Sequence, residues 1–137
     1  MKIIRFWLPV FIWMGVIFFL SSRQGISVSD AYLVNFVFFK ILHVLEYAML
    51  YILTYRALLK TSNRTGNSQT WVWAFVITVF YAVSDELHQQ FVPTREGKVR
   101  DVIIDAFGAT LAWIFLTQLL PKAPKKLKSL VKHWERI

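Results

Sequence analysis

The chain has 137 residues, which is the length of one domain and leaves no room for a second hydrophobic core. Hydrophobic residues make up 56% of it, with six Trp and twelve Phe, and this composition indicates lipid rather than water as the solvent. The absence of cysteine excludes disulfides and thiol chemistry, and the distribution of the net +8 charge argues against a nucleic-acid partner.

Four apolar segments predict an all-α, polytopic membrane protein. Each approaches the ~20 residues that cross a hydrocarbon core as a helix. They cover residues 6–20, about 39–59, 70–92 and 102–120. The first also resembles a signal peptide, but no small-x-small cleavage site follows it, so we interpret it as a first span. We therefore predict a membrane domain at residues 1–120 and a basic tail at residues 121–137.

The first span has no polar residue in its middle, and we expect it to serve packing alone. Residues 30–39 allow two interpretations, because this apolar stretch either extends a long, tilted second helix or forms a short interfacial helix before it.

Polar residues of the second span share one helix face, because Lys40, His43, Glu46 and Tyr47 lie at spacings of three and four. We expect this face to turn toward a polar site. In the alternative interpretation Lys40 and Glu46 pair with each other, His43 meets a carbonyl group, and Tyr47 belongs to an interfacial aromatic belt.

The third and fourth spans carry the densest group of polar residues. Asp85, Glu86, His88 and Gln89 end the third span, and Pro93 is expected to close that helix. Ionisable groups in such segments are costly and usually mark a functional site. After the turn with Arg95, the fourth span opens with Arg100 and Asp101. Asp101, Asp105 and Gly108 line one stripe, and Ala112 follows Gly108 one turn later. The small residues of this stripe predict close approach of another helix.

The tail after residue 121 places Leu127, Leu130, Val131 and Trp134 on one helical face and lysines on the others. This pattern is typical of an amphipathic helix on an anionic membrane surface. A solvated basic tail that only fixes the topology explains the charges equally well.

Basic residues predict the orientation of the spans. Eleven of the sixteen lie in the segments on one side of the predicted spans, and five lie on the other side. The positive-inside rule then places both termini in the cytoplasm. Since seven of the eight acidic residues fall at or near the opposite side, we expect the polar group to be extracytoplasmic.

Such a group of carboxylates requires protonation, basic partners or a metal ion. One possibility is a divalent metal held by carboxylates and His43 or His88, although no compact metal motif such as HExxH supports it. The other is metal-free acid–base chemistry with arginines that grip an anionic head group. The candidate catalytic residues are His43, Glu46, Asp85, Glu86 and Asp105, and the candidate substrate-binding residues are Tyr47, Gln89, Arg95, Arg100 and Asp101.

Three linked motifs resemble the VanZ-like family of small bacterial membrane proteins. They are H-x-x-E-Y at residues 43–47, S-D-E-x-x-Q-x-F-x-P-x-R at 84–95 and D-V-x-x-D-x-x-G-A at 101–109. The resemblance extends over residues 17–116. Members often carry Asn where this chain has Asp105 and Gly where it has Thr94, and the extra carboxylate alters any ligand set taken from the family. The resemblance implies a multi-pass protein of the bacterial cell membrane with a cell-envelope role linked to glycopeptide (teicoplanin) resistance.

Three functions follow from these features. The protein is expected to bind or process a lipid-linked or peptidoglycan-related substrate at the outer leaflet. The first alternative is a non-catalytic membrane scaffold whose polar residues hold the helices together. The second is a small transporter. It is less favoured because the cytoplasmic halves of spans two to four carry almost no polar residues that could form a pathway.

Overall fold

The computed structural model describes residues 2–23, 28, 30–61, 68–93, 95 and 97–136, and it contains five α-helices and no strand within these ranges. The helices are α1 (Lys2–Ser21), α2 (Tyr32–Thr61), α3 (Ser68–Gln89), α4 (Val99–Ile114) and α5 (Lys125–Arg136). A π-helical segment, Phe115–Leu119, and a 3-10 turn, Leu120–Lys122, extend α4 without a break.

Four of these helices are long and apolar enough to span a membrane, namely Lys2–Ser21, Tyr32–Thr61, Gln69–Gln89 and Val99–Lys122. Their outward faces carry large apolar side chains, and Ile4, Leu33 and Phe80 are 69%, 69% and 75% exposed. Such a surface fits a hydrocarbon environment. The predicted all-α fold with four apolar spans is therefore confirmed.

Helix α2 settles the interpretation of residues 30–39. It runs without interruption for 30 residues, so residues 32–39 belong to it and the separate interfacial helix is wrong. At 1.5 Å per residue the helix is about 45 Å long, which exceeds a hydrocarbon core of about 30 Å. Helix α2 must therefore tilt or extend past the core.

Helix α3 ends at Gln89, three residues before the predicted end of the span. The amide nitrogens of Phe91 and Val92 donate to the carbonyls of His88 and Gln89, at 2.9 and 3.1 Å, and form a tight turn. Proline at position 93 explains this ending, because it disfavours helical geometry at the residue before it.

The core lies on two sides of α2, which packs against α1, α3 and α4 and most extensively against α4. One side buries Leu50 and Leu53 against Val10 and Ile17 of α1. The other side buries Tyr51 against the small residues Ala74, Ala109 and Ala112 of α3 and α4. Small residues at helix contacts allow backbones to approach closely, as is typical of membrane-embedded bundles.

The closest approach of α2 and α4 lies at Gly108. A Cβ atom added there would collide with the carbonyl oxygen of Val44 and lie 3.0 Å from its Cα atom. The predicted close approach is thus confirmed, and the partner is α2 of the same chain. This contact fixes which residues of α2 face Asp105 and Asp101, which lie one and two turns before Gly108 in α4.

We predict that Gly108→Ala lowers the free energy of unfolding by about 1–3 kcal/mol, because the added methyl group forces the two backbones apart. The measurement is thermal unfolding of the detergent-solubilised protein. Gly15→Ala is the matched control, since a Cβ atom at Gly15 meets nothing within 4 Å. Equal melting temperatures for the two variants would contradict the close contact.

Candidate functional site

Buried polar residues gather at one end of the bundle, where α1 and α3 end, α4 begins and the middle of α2 passes. We call this group the polar cluster. Its buried members are Ser21, Glu46, Tyr47, Asp85, Glu86, Gln89, Asp101 and Asp105, and the partly buried Lys40 and His43 join them.

Two ion pairs join α2 to α4 inside the polar cluster. The Nζ atom of Lys40 lies 2.7 Å from Oδ2 of Asp101, and Nδ1 of His43 lies 3.1 Å from Oδ1 of Asp105. Since the residues are three apart on α2 and four apart on α4, the two pairs stack along one helix contact. The alternatives in which Lys40 pairs with Glu46 and His43 meets a carbonyl are therefore wrong.

Hydrogen bonds also join α1 to α3. The Ser21 hydroxyl donates to Oδ1 of Asp85 at 2.6 Å, and Nε2 of Gln89 donates to the other oxygen of that carboxylate at 3.1 Å. Next to them, the Ser22 hydroxyl lies 3.0 Å from Nε2 of His88. The expectation that the first span serves packing alone is wrong, because Ser21 at its end takes part in the polar cluster.

The Glu86 side chain binds the connection between α3 and α4. The backbone N–H of Lys98 donates to Oε2 of Glu86 at 2.8 Å, while Nε2 of Gln89 lies 3.4 Å from Oε1. A Cβ atom at Gly97 would collide with the carbonyl oxygen of Glu86, so only glycine fits there without a shift. Glu86 thus positions the connection that leads into α4.

Three buried polar atoms of the cluster have no hydrogen-bond partner among the residues that the structure describes. They are Oε1 of Glu46, the hydroxyl of Tyr47 and Oδ2 of Asp105. Tyr47 and Asp105 are fully buried, which also makes the aromatic-belt interpretation of Tyr47 wrong. Buried polar atoms are nearly always hydrogen-bonded, so these three retain unused bonding capacity next to one another on α2 and α4.

Cavities lie against the polar cluster within the part of the chain that the structure describes. The inner pocket, of about 50 Å³, is lined by polar groups of Ser21, His43, Glu46 and Arg95 together with Leu20, Phe39 and Leu42. The second cavity, of about 480 Å³, opens at the protein surface, and we call it the vestibule. Its lining residues are Phe36, Lys40, Gln89, Arg95, Lys98, Arg100 and Asp101. Arg95 lines both cavities and therefore lies between them.

The vestibule is strongly basic, because four of its lining side chains are cationic and one is a carboxylate. That carboxylate, Asp101, accepts from Nε of Arg100 at 3.3 Å in addition to its contact with Lys40. The Arg100 guanidinium lies 5.1 Å from the centre of the Phe36 ring. Arg95 donates from Nε to the carbonyl oxygen of Arg23 at 3.1 Å, which fixes it near the end of α1.

The predicted site residues thus divide into two groups. Six of them line the cavities, namely His43, Glu46, Gln89, Arg95, Arg100 and Asp101. The other four lie buried behind these and line neither cavity, and they are Tyr47, Asp85, Glu86 and Asp105. Catalytic and binding roles stay predictions for all ten residues, but only the first group is placed to touch a ligand directly.

The metal alternative gains no support from this geometry. Within the described ranges, no group of three or more His, Asp or Glu side chains is arranged to hold a metal ion. His88, one of the two histidines considered as ligands, instead packs its ring against Phe18 with 4.2 Å between ring centres.

Sequence reasoning missed Ser21 and underestimated Lys40. Both carried a visible signal, because Ser21 ends an apolar helix and Lys40 lies one turn before His43 on the same face. What the sequence lacked was the pairing of helices, since Ser21 faces Asp85 of α3 and Lys40 faces Asp101 of α4.

Comparison with known proteins supports the resemblance seen in the motifs. A family model described as VanZ/LLP1 matches residues 6–120, a range that includes most of the four apolar helices and the whole polar cluster. No curated protein and no solved structure gives a significant match.

We predict that Ser21→Ala lowers the free energy of unfolding by about 1–3 kcal/mol, because it leaves Oδ1 of the buried Asp85 without its donor. Thermal unfolding in detergent measures this effect. Ser84→Ala is the matched control, since the exposed Ser84 hydroxyl donates within its own helix, to the carbonyl of Tyr81. A loss of stability no larger than that of the control would show that α1 is not bound to α3 through this contact.

Proposed function

Since the chain belongs to the VanZ/LLP1 family and gathers its buried carboxylates at one end of four apolar helices, we propose that it binds the anionic head group of a lipid-linked molecule of the cell envelope. The proposed location is the outer leaflet of the bacterial cell membrane. The observation that carries the proposal is the basic vestibule, which leads past Arg95 into a pocket with an imidazole and a carboxylate.

The vestibule supports a phosphate-bearing head group. Arginine presents a planar fork of donors that matches phosphate oxygens, and lysine adds a point charge. Lys40, Arg95 and Arg100 approach the cavity from α2, the α3–α4 connection and α4, so they surround a bound anion from several directions. The vestibule has a volume of about 480 Å³ and lies at the edge of apolar helices, so it admits a head group whose lipid chain stays in the membrane.

The inner pocket supports acid–base chemistry on that head group. Asp105 contacts Nδ1 of His43 and so fixes the orientation of the ring. This leaves Nε2 as the nitrogen that exchanges a proton with a ligand, in the way of a carboxylate-oriented general base. Glu46 lines the same pocket, and its Oε1 has no partner among the described residues. Binding followed by a proton transfer therefore fits this site, and binding alone uses the same residues.

The proposed cellular role is glycopeptide resistance, exerted at the outer surface of the cell membrane. The family name suggests teicoplanin as the drug, and the excess of basic residues at the opposite end of the bundle supports an outward-facing vestibule. A scaffold is the second candidate, and the observation that favours it is the set of side-chain contacts that joins α1 to α3 and α2 to α4.

We predict that Arg95→Gln weakens binding of farnesyl diphosphate to the purified protein in lipid nanodiscs by at least about tenfold, because one charge-assisted hydrogen bond contributes about 1.5–3 kcal/mol. The uncharged farnesol is the matched ligand and should not respond to the change. In cells that express the protein, Arg95→Gln and Asp105→Ala should both lower teicoplanin tolerance to the level of cells without it.

The matched control is Asp30→Asn, because Asp30 is exposed and precedes α2 outside the polar cluster. This variant should keep full binding and tolerance. Variants of Arg95 and Asp105 that fold normally and keep full tolerance would refute the proposal. If every variant instead loses thermal stability in step with tolerance, and none loses diphosphate binding separately, the scaffold function replaces it.

The proposed orientation has its own test, which the natural absence of cysteine makes simple. We predict that a cysteine introduced at Glu96 reacts with a membrane-impermeant maleimide on intact cells. A cysteine at Asn67 should react only after the cells are permeabilised. The reverse labelling pattern would place the vestibule in the cytoplasm and remove the outer-leaflet proposal.

A further inference from the structure

A third cavity, of about 210 Å³, lies outside the polar cluster, beside the C-terminal half of α2. We call it the lateral pocket. Its walls are almost wholly apolar and come from three elements, with Met49, Ile52 and Leu59 from α2, Phe115 and Leu116 from the π-helical segment, and Val131 from α5. None of these residues belongs to the proposed head-group site.

The π-helical segment shapes this pocket. A π-helical turn inserts extra backbone into a helix, interrupts its regular packing and often occurs at functional sites. None of the five residues of the segment is buried. Met49 and Phe115 at the edge of the pocket are 38% and 37% exposed. The pocket therefore opens sideways, toward the surroundings of two helices that are apolar enough to span a membrane.

Helix α5 brings positive charge to one end of the same pocket. Val131 of α5 lines the cavity, and Lys128, three residues earlier, lies at the border of the apolar face that carries Val131. Lys125 and Lys126 are exposed at the start of α5. Arg56 of α2, which lines the pocket, is also cationic, and its guanidinium lies 5.2 Å from the centre of the Phe6 ring.

We propose that the lateral pocket holds an acyl chain of an anionic phospholipid whose head group contacts the lysines of α5. The apolar walls exclude a hydrated ligand, whereas a lipid chain replaces contact with bulk lipid by contact with Met49, Phe115 and Leu116. Basic residues at a membrane surface select anionic lipids. A phospholipid is the ligand that satisfies both features at once, and it docks α5 against α2 and the extension of α4.

The test is native mass spectrometry of the full chain released from nanodiscs that contain equal amounts of phosphatidylglycerol and phosphatidylcholine. The natural protein should retain phosphatidylglycerol in preference to phosphatidylcholine. In the triple variant Lys125→Ala, Lys126→Ala, Lys128→Ala, the ratio of retained phosphatidylglycerol to phosphatidylcholine should be at least about fivefold lower. A change of this size corresponds to the effect of one basic residue near an anionic surface.

A second variant tests the chain site separately. Leu116→Trp fills the lateral pocket and should abolish retention of lipid of either kind. Ile103→Trp is the matched control, because Ile103 is 64% exposed on α4 and lies outside the pocket, and it should behave as the natural protein. Thermal unfolding of each variant shows whether it is folded.

Three outcomes would overturn the proposal. They are equal retention of the two lipids by the natural protein, an unchanged preference in the triple lysine variant, and lipid retention in folded Leu116→Trp equal to that of Ile103→Trp. Masses of a dimer that lack lipid would assign the pocket to a second copy of the chain and would also refute it. Farnesyl diphosphate binding at the vestibule should be the same in all four proteins, so failure here is distinguishable from failure of the head-group site.

Discussion

The contact between α2 and α4 is the constraint on which the rest of the structure depends. Without a side chain at Gly108, the backbone of α4 lies against Val44, and the helices are close enough for short side chains to meet. At that separation Asp105 reaches His43 and Asp101 reaches Lys40. A buried carboxylate in an apolar bundle needs such a partner, because the surroundings offer no water to replace it. One missing methyl group therefore permits the charged pairs on which the proposed site is built.

The polar cluster has two layers of interacting groups, one that lines the cavities and one behind it. Groups that line the cavities, such as His43 and Arg95, are held by groups behind them, such as Asp105 and the carbonyl of Arg23. The same contacts also join the helices, so side chains that line the cavities are held by the packing of the bundle. This arrangement suits recognition, because a site held on rigid helices loses little conformational freedom when it binds.

Much of the fold and part of the site are predictable from the sequence, for physical reasons. Long apolar runs require helices in lipid, and intramembrane charge is costly enough that Asp101 and Asp105 had to lie at a site or in a network. The helix partners were not predictable, since the period of α2 places Lys40, His43 and Glu46 on one face without naming the helix that covers it. Ser21 was missed for the same reason, and the π-helical segment leaves no recognisable signal in the sequence of residues 115–119.

The carboxylate of Asp101 competes with any other anion for the basic groups around it. Its two oxygens already engage Lys40 and Arg100, at 2.7 and 3.3 Å, before any other anion arrives. An incoming phosphate group must share or displace these contacts, and the attraction that it gains is reduced by the attraction that Asp101 gives up. If the vestibule binds a head group as proposed, the carboxylate limits retention of that ligand and favours repeated capture and release over permanent occupancy.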